Sequence, residues 1–234
     1  MRLAPRRAVM PMTPDMHSFS RADLTDLFRC LAERMAADQA WLAELDGEIG
    51  DADHGVAMSG GFGAAARALF DADAGGQTLA QGFSLAASTL LNAVGATTGP
   101  LYASALLRAG HRFGPQARVP FARLPELIAA MAEGIEARGH GKPGDKTMVD
   151  AWAPAAHAAR AGLAEGQPTA LILRRAAAAA ADGAQATRPM MASRGRAARL
   201  GPRSIGHLDP GAVSAAALLD SLALWAEGRT GGGA

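Results

Sequence analysis

A chain of 234 residues with a net charge of +1 is long enough to bury a substantial core and lies at the upper end of a single domain. Its charge balance offers no bulk attraction to nucleic acid or to an anionic membrane. Its one cysteine, Cys30, excludes an intrachain disulfide and a multi-cysteine zinc site, so a reducing, cytoplasmic compartment fits best.

Hydrophobic residues make up 49% of the chain but aromatic residues only 5%. Alanine supplies much of the difference, and alanine-rich sequence poor in β-branched residues favours helix. The expected fold class is all-α. Residues 1–19 carry basic residues broken by Pro5, Pro11 and Pro14 and lack the apolar run of a signal peptide. They are expected to be a disordered N-terminal extension, and no uninterrupted apolar run is long enough for a membrane span.

The first helix is predicted to begin at Ser20, an N-cap candidate with Asp23 in the capping-box position. Leu24, Leu27, Phe28, Leu31, Met35 and Leu42 then recur at helical spacing. A second helix is expected from about Met58 to Leu69, and Thr78 with Gln81 signals the cap of a third. The fourth carries Leu101, Tyr102, Leu106 and Leu107 and is expected to stop near Gly110. Leu124, Ile128, Met131 and Ile135 outline a fifth, and Asp145 is the expected cap of a sixth. The seventh holds Leu171 to Leu173 and the alanines Ala176 to Ala181. Asp209 followed by Pro210 reads as N-cap and first residue of the last helix, and residues 228–234 as a flexible tail. Eight helices joined mostly by short loops predict an antiparallel up-down barrel or bundle, with one domain over residues 20–227.

Four connections hold more glycine, hydroxyl and charge than a simple turn needs: 46–55, 95–100, 139–147 and 187–211. They follow helices one, three, five and seven, and in an up-down array odd-numbered helices end on one side. The four loops should therefore meet at one end of the barrel. In the first of them, Asp46, Asp51 and Asp53 can converge only if the backbone turns sharply, which Gly47 and Gly50 permit. Clustered carboxylate oxygens suit Mg²⁺, which is commonly shared with substrate phosphates. Thr97 and Thr98 precede a helix whose N-terminal N–H groups favour an anion. Lys142, Lys146, Arg188, Arg194, Arg196, Arg199 and Arg203 are available to balance charge. A Mg-nucleotide pocket at one end of the barrel is the reading that uses all four loops.

The motifs Leu45-Asp46-x-x-Ile49-Gly50-Asp51-x-Asp53-His54-Gly55, Gly144-Asp145-Lys146-Thr147-Met148 and Arg203-Ser204-Ile205-Gly206-His207-Leu208-Asp209-Pro210-Gly211 resemble those of the nucleotide-binding L subunit, or L domain, of dihydroxyacetone kinases. The resemblance spans residues 20–227. It implies an eight-helix barrel that holds Mg-ADP or Mg-ATP, with Asp46, Asp51 and Asp53 as ligands of two Mg²⁺ ions. It also implies that His54, Gly55, Val56, Ala57, Thr97 and Thr98 line the nucleotide, with Gly139 and Met148 nearer the base and Arg196, Asp209, Pro210 and Gly211 at the rim. Two positions depart from the family pattern: Ala57 stands where asparagine is frequent, and Thr97-Thr98 where threonine-serine is usual. The implied activity is phosphoryl transfer, within glycerol metabolism, to dihydroxyacetone held on a separate K subunit, with ATP or a phosphohistidine protein of the phosphotransferase system as donor. No catalytic side chain is expected on this chain, because the partner presents the acceptor hydroxyl. A homodimer is kept open as a further assembly.

Blander readings compete at each position. Asp51 to Gly55 also looks like the start of a Ca²⁺ loop, but the later acidic ligands of an EF-hand do not follow. His207 reads as a structural hydrogen-bonder, since no His or Cys at metal spacing accompanies it. Met148, Met190 and Met191 fit either a core or a base-binding wall. The competing functions are kinase action on a related ketose or polyol such as erythrulose, and nucleotide binding for regulation without turnover.

Overall fold

The structure is a computed structural model that describes residues 18–72, 76–95 and 97–230. Its described residues form nine α-helices and a two-stranded ribbon. Helices α1 (Arg21–Ala37) and α2 (Gln39–Ile49) divide what the sequence predicts as one helix. The break falls at Asp38, whose carboxylate is turned back to Arg34 at 2.6 Å and caps nothing in α2. The rest of the array is α3 (His54–Asp71), α4 (Leu79–Ala93), α5 (Thr98–Phe113), α6 (Glu126–Gly139), α7 (Val149–Ala164), α8 (Thr169–Ala186) and α9 (Pro210–Thr230).

From α3 onward each helix packs mainly on its sequence neighbours, and α9 returns against α1 and α2. The ring therefore closes with α1 and α2 together as one stave, and the eight-stave reading stands with that stave broken. Its interior is a continuous apolar cluster threaded by aromatic contacts: Phe28 stacks on Phe62 at 6.1 Å, Phe62 meets Tyr102 edge-on at 5.5 Å, and Tyr102 meets Trp152 at 6.3 Å. Such offset and edge-on pairs add to area burial. Among the described residues, no helix is long and apolar enough to cross a membrane.

Local chemistry sets the helix starts. Ser20 and Asp23 close a capping box around the start of α1, with the Ser20 N–H donating to Asp23 Oδ2 at 2.8 Å. Thr78 and Gln81 do the same for α4. Asp209 caps α9 by accepting from the Ala212 N–H at 2.7 Å, directly before Pro210. The expected cap of the sixth helix is corrected. That helix, α7, begins at Val149, and Asp150 rather than Asp145 accepts from the turn before it, taking the Thr147 N–H at 2.7 Å.

Both expected chain ends differ from the sequence reading. Residues 1–17 lie outside the described residues, but Ser18–Ser20 form strand β1, which pairs antiparallel with β2 (Arg118–Pro120). Phe19 is fully buried against Phe113 and Trp225, and that burial draws the start of the fold back past Ser20. At the other end α9 continues to Thr230, and residues 231–234 lie outside the described residues.

Candidate active site at the acidic end of the barrel

Asp46 sits in the last turn of α2, Asp51 in the connection and Asp53 immediately before α3. One carboxylate oxygen from each lies within 4.8 Å of those of the other two. Two backbone features make this convergence possible. A Cβ on Gly50 would lie 2.2 Å from Asp46 Oδ1, and a Cβ on Gly55 would lie 2.0 Å from the Gln39 carbonyl oxygen. Only glycine lets the chain turn over Asp46 and then start α3 hard against α2. Between them Ala52 adopts φ 63°, a left-handed conformation that is costly for a residue with a Cβ.

The electrostatics of this corner are unbalanced. Asp46 is buried and accepts the His54 N–H at 3.2 Å. Desolvation, and then the charge of Asp46, push the Asp53 carboxyl above the usual carboxylate range. The cation facing the group is Arg196, which pairs with Asp51 and, at 2.9 Å, with Asp53. Among the described residues, one guanidinium thus pairs with two of the three carboxylates. The donor set is all oxygen, clustered and short of positive charge, which fits a small divalent cation.

Asp46 and Asp53 lie in the wall of a cavity of about 290 Å³ to which all four of the sequence-flagged connections contribute. Asp46, Asp53, His54, Thr97, Thr98, Gly139, Met148, Arg196, Asp209, Pro210 and Gly211 line it. Asp51, Gly55, Val56 and Ala57 do not. Asp51 belongs to the carboxylate cluster at the cavity edge. Gly55 is the close crossing with α2, Ala57 is packed against the core, and Val56 points outward at 59% exposure. Helix geometry explains the separation, because successive residues of α3 face different directions and only His54 lies on the cavity side.

His54 is held from two sides. Its Nε2 meets Ser214 Oγ at 2.9 Å, and the Pro210 carbonyl accepts from the ring. Burial lowers its pKa against the opposing influence of Asp46. Burial also pushes Asp209 up to about 7. Thr97 makes no capping bond of its own at the start of α5, which leaves its hydroxyl for the cavity.

The cavity also has an apolar lining, from Ile49, Leu101, Ile135 and Val149 with Met148. Sequence reasoning missed the first four as site residues, since each continues a helical core stripe. The available signal was position: each stands at or near the end of its helix beside a flagged loop. Of the basic residues expected to balance charge, Arg194, Arg196 and Lys146 line the cavity, while Lys142, Arg188, Arg199 and Arg203 do not. Lys146 is 1% exposed, with its ammonium on three backbone carbonyls. His207 bonds Glu48 Oε2 at 3.0 Å, a structural contact as expected.

The cavity thus joins a carboxylate cluster, helix N-termini and an apolar lining at one end of a closed helical barrel. Residues 48–224 match the DAK2 domain, and the chain belongs to that family. It is 35% identical over 213 residues to the ADP-binding subunit DhaL of the PEP-dependent dihydroxyacetone kinase of Escherichia coli K12, covering 90% of this chain and 99% of that one. It is likewise 35% identical over 190 residues to the ADP-binding subunit of the PTS-dependent dihydroxyacetone kinase of Lactococcus lactis, covering 81% and 90%. Its fold is shared with the dihydroxyacetone kinase of C. freundii, crystallised with AMP-PNP and Mg²⁺, at a TM-score of 0.65 and 22% identity. That likeness covers 96% of this chain and 37% of the other.

Proposed function

We propose that this chain is the nucleotide-binding subunit of a dihydroxyacetone kinase. In this reading residues 20–227 are its L domain, which passes a phosphoryl group through bound ADP or ATP to dihydroxyacetone held on a separate K subunit. The observation that carries the proposal is the convergence of Asp46, Asp51 and Asp53, two of which line a cavity built from all four flagged loops. Relatives matched over nearly their whole length, named as ADP-binding subunits of such kinases, support it. Erythrulose kinases also match, one from Mycolicibacterium smegmatis at 37% identity, but over only 32% of their length. Dihydroxyacetone is therefore the preferred acceptor.

Asp46, Asp51 and Asp53 would hold two Mg²⁺ ions, which when bound neutralise polyphosphate charge and the charge that develops on transfer. The residues of this chain do the positioning. The N-terminus of α5 with Thr97 and Thr98 offers N–H and hydroxyl donors to phosphate. Ile49, Leu101, Ile135, Met148 and Val149 give the base an apolar slot beside Gly139. His54, fixed by Ser214 and Pro210, and Asp209 with Pro210 and Gly211 fix the rim. Arg196, now paired with Asp51 and Asp53, is the cation free to turn to phosphate once metal takes its place. No side chain here abstracts the acceptor proton, because the acceptor arrives on the partner. Donor identity divides between ATP and a phosphohistidine protein of the phosphotransferase system, and a homodimer is a further allowed assembly.

The test is reconstitution. The purified chain mixed with its K-type partner, Mg²⁺ and dihydroxyacetone should form dihydroxyacetone phosphate, either from ATP or from ADP plus the phosphohistidine donor. Absence of product under both conditions, with nucleotide still bound, would favour a non-catalytic binding role instead.

A further inference from the structure

Lys146 stands in a left-handed conformation, φ 60°, in the turn before α7. Its side chain runs inward until the ammonium meets three backbone carbonyl oxygens: Thr187 at 2.8 Å, Met190 at 3.2 Å and His207 at 2.5 Å. An ammonium has three N–H donors, and here each has a carbonyl. Lys146 therefore offers no donor to a phosphate, although it lies at the cavity wall. Among the described residues no carboxylate is in hydrogen-bond contact with it, although burial of an ammonium is costly unless it is fully bonded. A buried cation placed on carbonyls alone is costly for core packing and well suited to gathering backbone.

The three carbonyls belong to the two stems of a single loop, Thr187 and Met190 on the outgoing side and His207 on the returning side. Other bonds close the same stems: the Gly206 N–H donates to the Arg188 carbonyl at 2.8 Å, and the Asp209 N–H to Thr187 Oγ1 at 3.0 Å. Between the stems the loop carries Arg196 to Asp51 and Asp53. It also carries Arg194 and Ser193 to Asp145, the residue beside Lys146, at 2.8 and 2.7 Å. We infer that Lys146 is a positioning residue, which pins both stems of the 187–207 loop so that Arg196 is delivered to the carboxylate trio. Its effect on nucleotide and metal passes through Arg196, a statement that rests on the function proposed above. Its effect on loop order does not.

The first experiment needs no nucleotide. Hydrogen exchange on the full chain should show that Lys146→Met, which keeps the aliphatic stem and removes the ammonium, speeds exchange of amides in 188–206 while leaving α1, α3 and α5 protected. Acceleration spread evenly over all helices, or none in the loop, overturns the inference. If Lys146→Met does not fold, Lys146→Arg carries the same test, since it keeps charge and donors but cannot place them on the same three carbonyls. The second experiment is a double-mutant cycle on Mg-ADP affinity. Lys146→Met and Arg196→Ala should each weaken binding, by about 10- to 100-fold as for residues that orient metal ligands, and the double variant should be no weaker than the weaker single. Losses that multiply would show that Lys146 acts independently of Arg196 and overturn the inference. Wild-type protein that binds no Mg-ADP would count against the proposed function, while the exchange result would still decide the role of Lys146.

Discussion

The two ends of the barrel are built on opposite terms. At the end away from the cavity, β1 pairs with β2, and Phe19 packs on Phe113 and meets Trp225 edge-on at 5.9 Å. Charges there are matched: Arg229 bridges Asp23 and Asp26, and Arg112 and Arg123 share Glu126. At the cavity end Asp46, Asp51 and Asp53 cluster with Arg196 on two of them, and Asp53 and Asp209 have raised pKa values. All three non-glycine residues with positive φ among the described residues, Ala52, His140 and Lys146, lie at this end. Each such residue stores about 1–3 kcal/mol. One end is shaped to hold the fold together, and the other gathers carboxylates and strained backbone.

The comparison predicts separable mutants. At the cavity end Asp51→Ala should remove Mg-dependent nucleotide retention, a loss beyond the roughly 100-fold reached when a mere supporting residue of a metal site is changed. Helicity and melting should be unchanged or improved, because Asp51 is half-exposed and adds to local repulsion. Calorimetric titration with Mg-ADP beside circular dichroism checks both halves, and unchanged retention would remove Asp51 from the site. At the opposite end Trp225→Ala should do the reverse. Trp225 is buried, donates to Asp26 at 3.0 Å and lies beneath the Arg229 guanidinium. Its truncation should cost about 3–5 kcal/mol of stability, read by denaturant unfolding, with Mg-ADP affinity of the folded protein retained.

The same division decides what could be read from sequence. Caps and stripes were legible because they are local: Ser20 with Asp23, Thr78 with Gln81 and Asp209 with Pro210 each state a helix start within four residues. The meeting of four loops was legible through helix parity alone. The break at Asp38 was not, since an apolar stripe runs through it and only the turn of its carboxylate toward Arg34 marks the interruption. The burial of Phe19 was hidden because its partners, Phe113 and Trp225, lie far along the chain. In the site, Asp46, Thr97, Thr98 and Asp209 line the cavity. Val56 and Ala57 do not, because a motif is written as consecutive letters while a helix turns each letter to a different side. Lys146 was identified as a charge and its surroundings reverse that reading: nothing in a Gly-Asp-Lys-Thr string tells that its ammonium will be used up by carbonyls 41 to 61 residues away.

The smallest expected effect is the pH dependence of stability in the metal-free protein, and it has opposite sign at the two ends. Burial raises Asp209 from 3.8 to about 7. Across that window the native state holds a proton that the unfolded chain has lost, so its contribution to stability is present below the unfolded pKa and falls as pH rises, by at most about 1.4 kcal/mol per pH unit. Asp209→Asn keeps an oxygen for the Ala212 N–H and should flatten stability between about pH 4 and pH 7. At the far end the hydrogen bonds from Arg29 and Arg229 hold Asp26 well below the usual carboxylate range. Its contribution is present above the unfolded pKa and is lost as pH falls, so Asp26→Asn should remove about 1 kcal/mol or less at neutral pH and shrink the acid limb. Denaturant midpoints measured across pH for the two variants discriminate the ends directly. Equal slopes in Asp209→Asn and the parent protein would mean that the Asp209 carboxyl is not held protonated by burial in the metal-free fold.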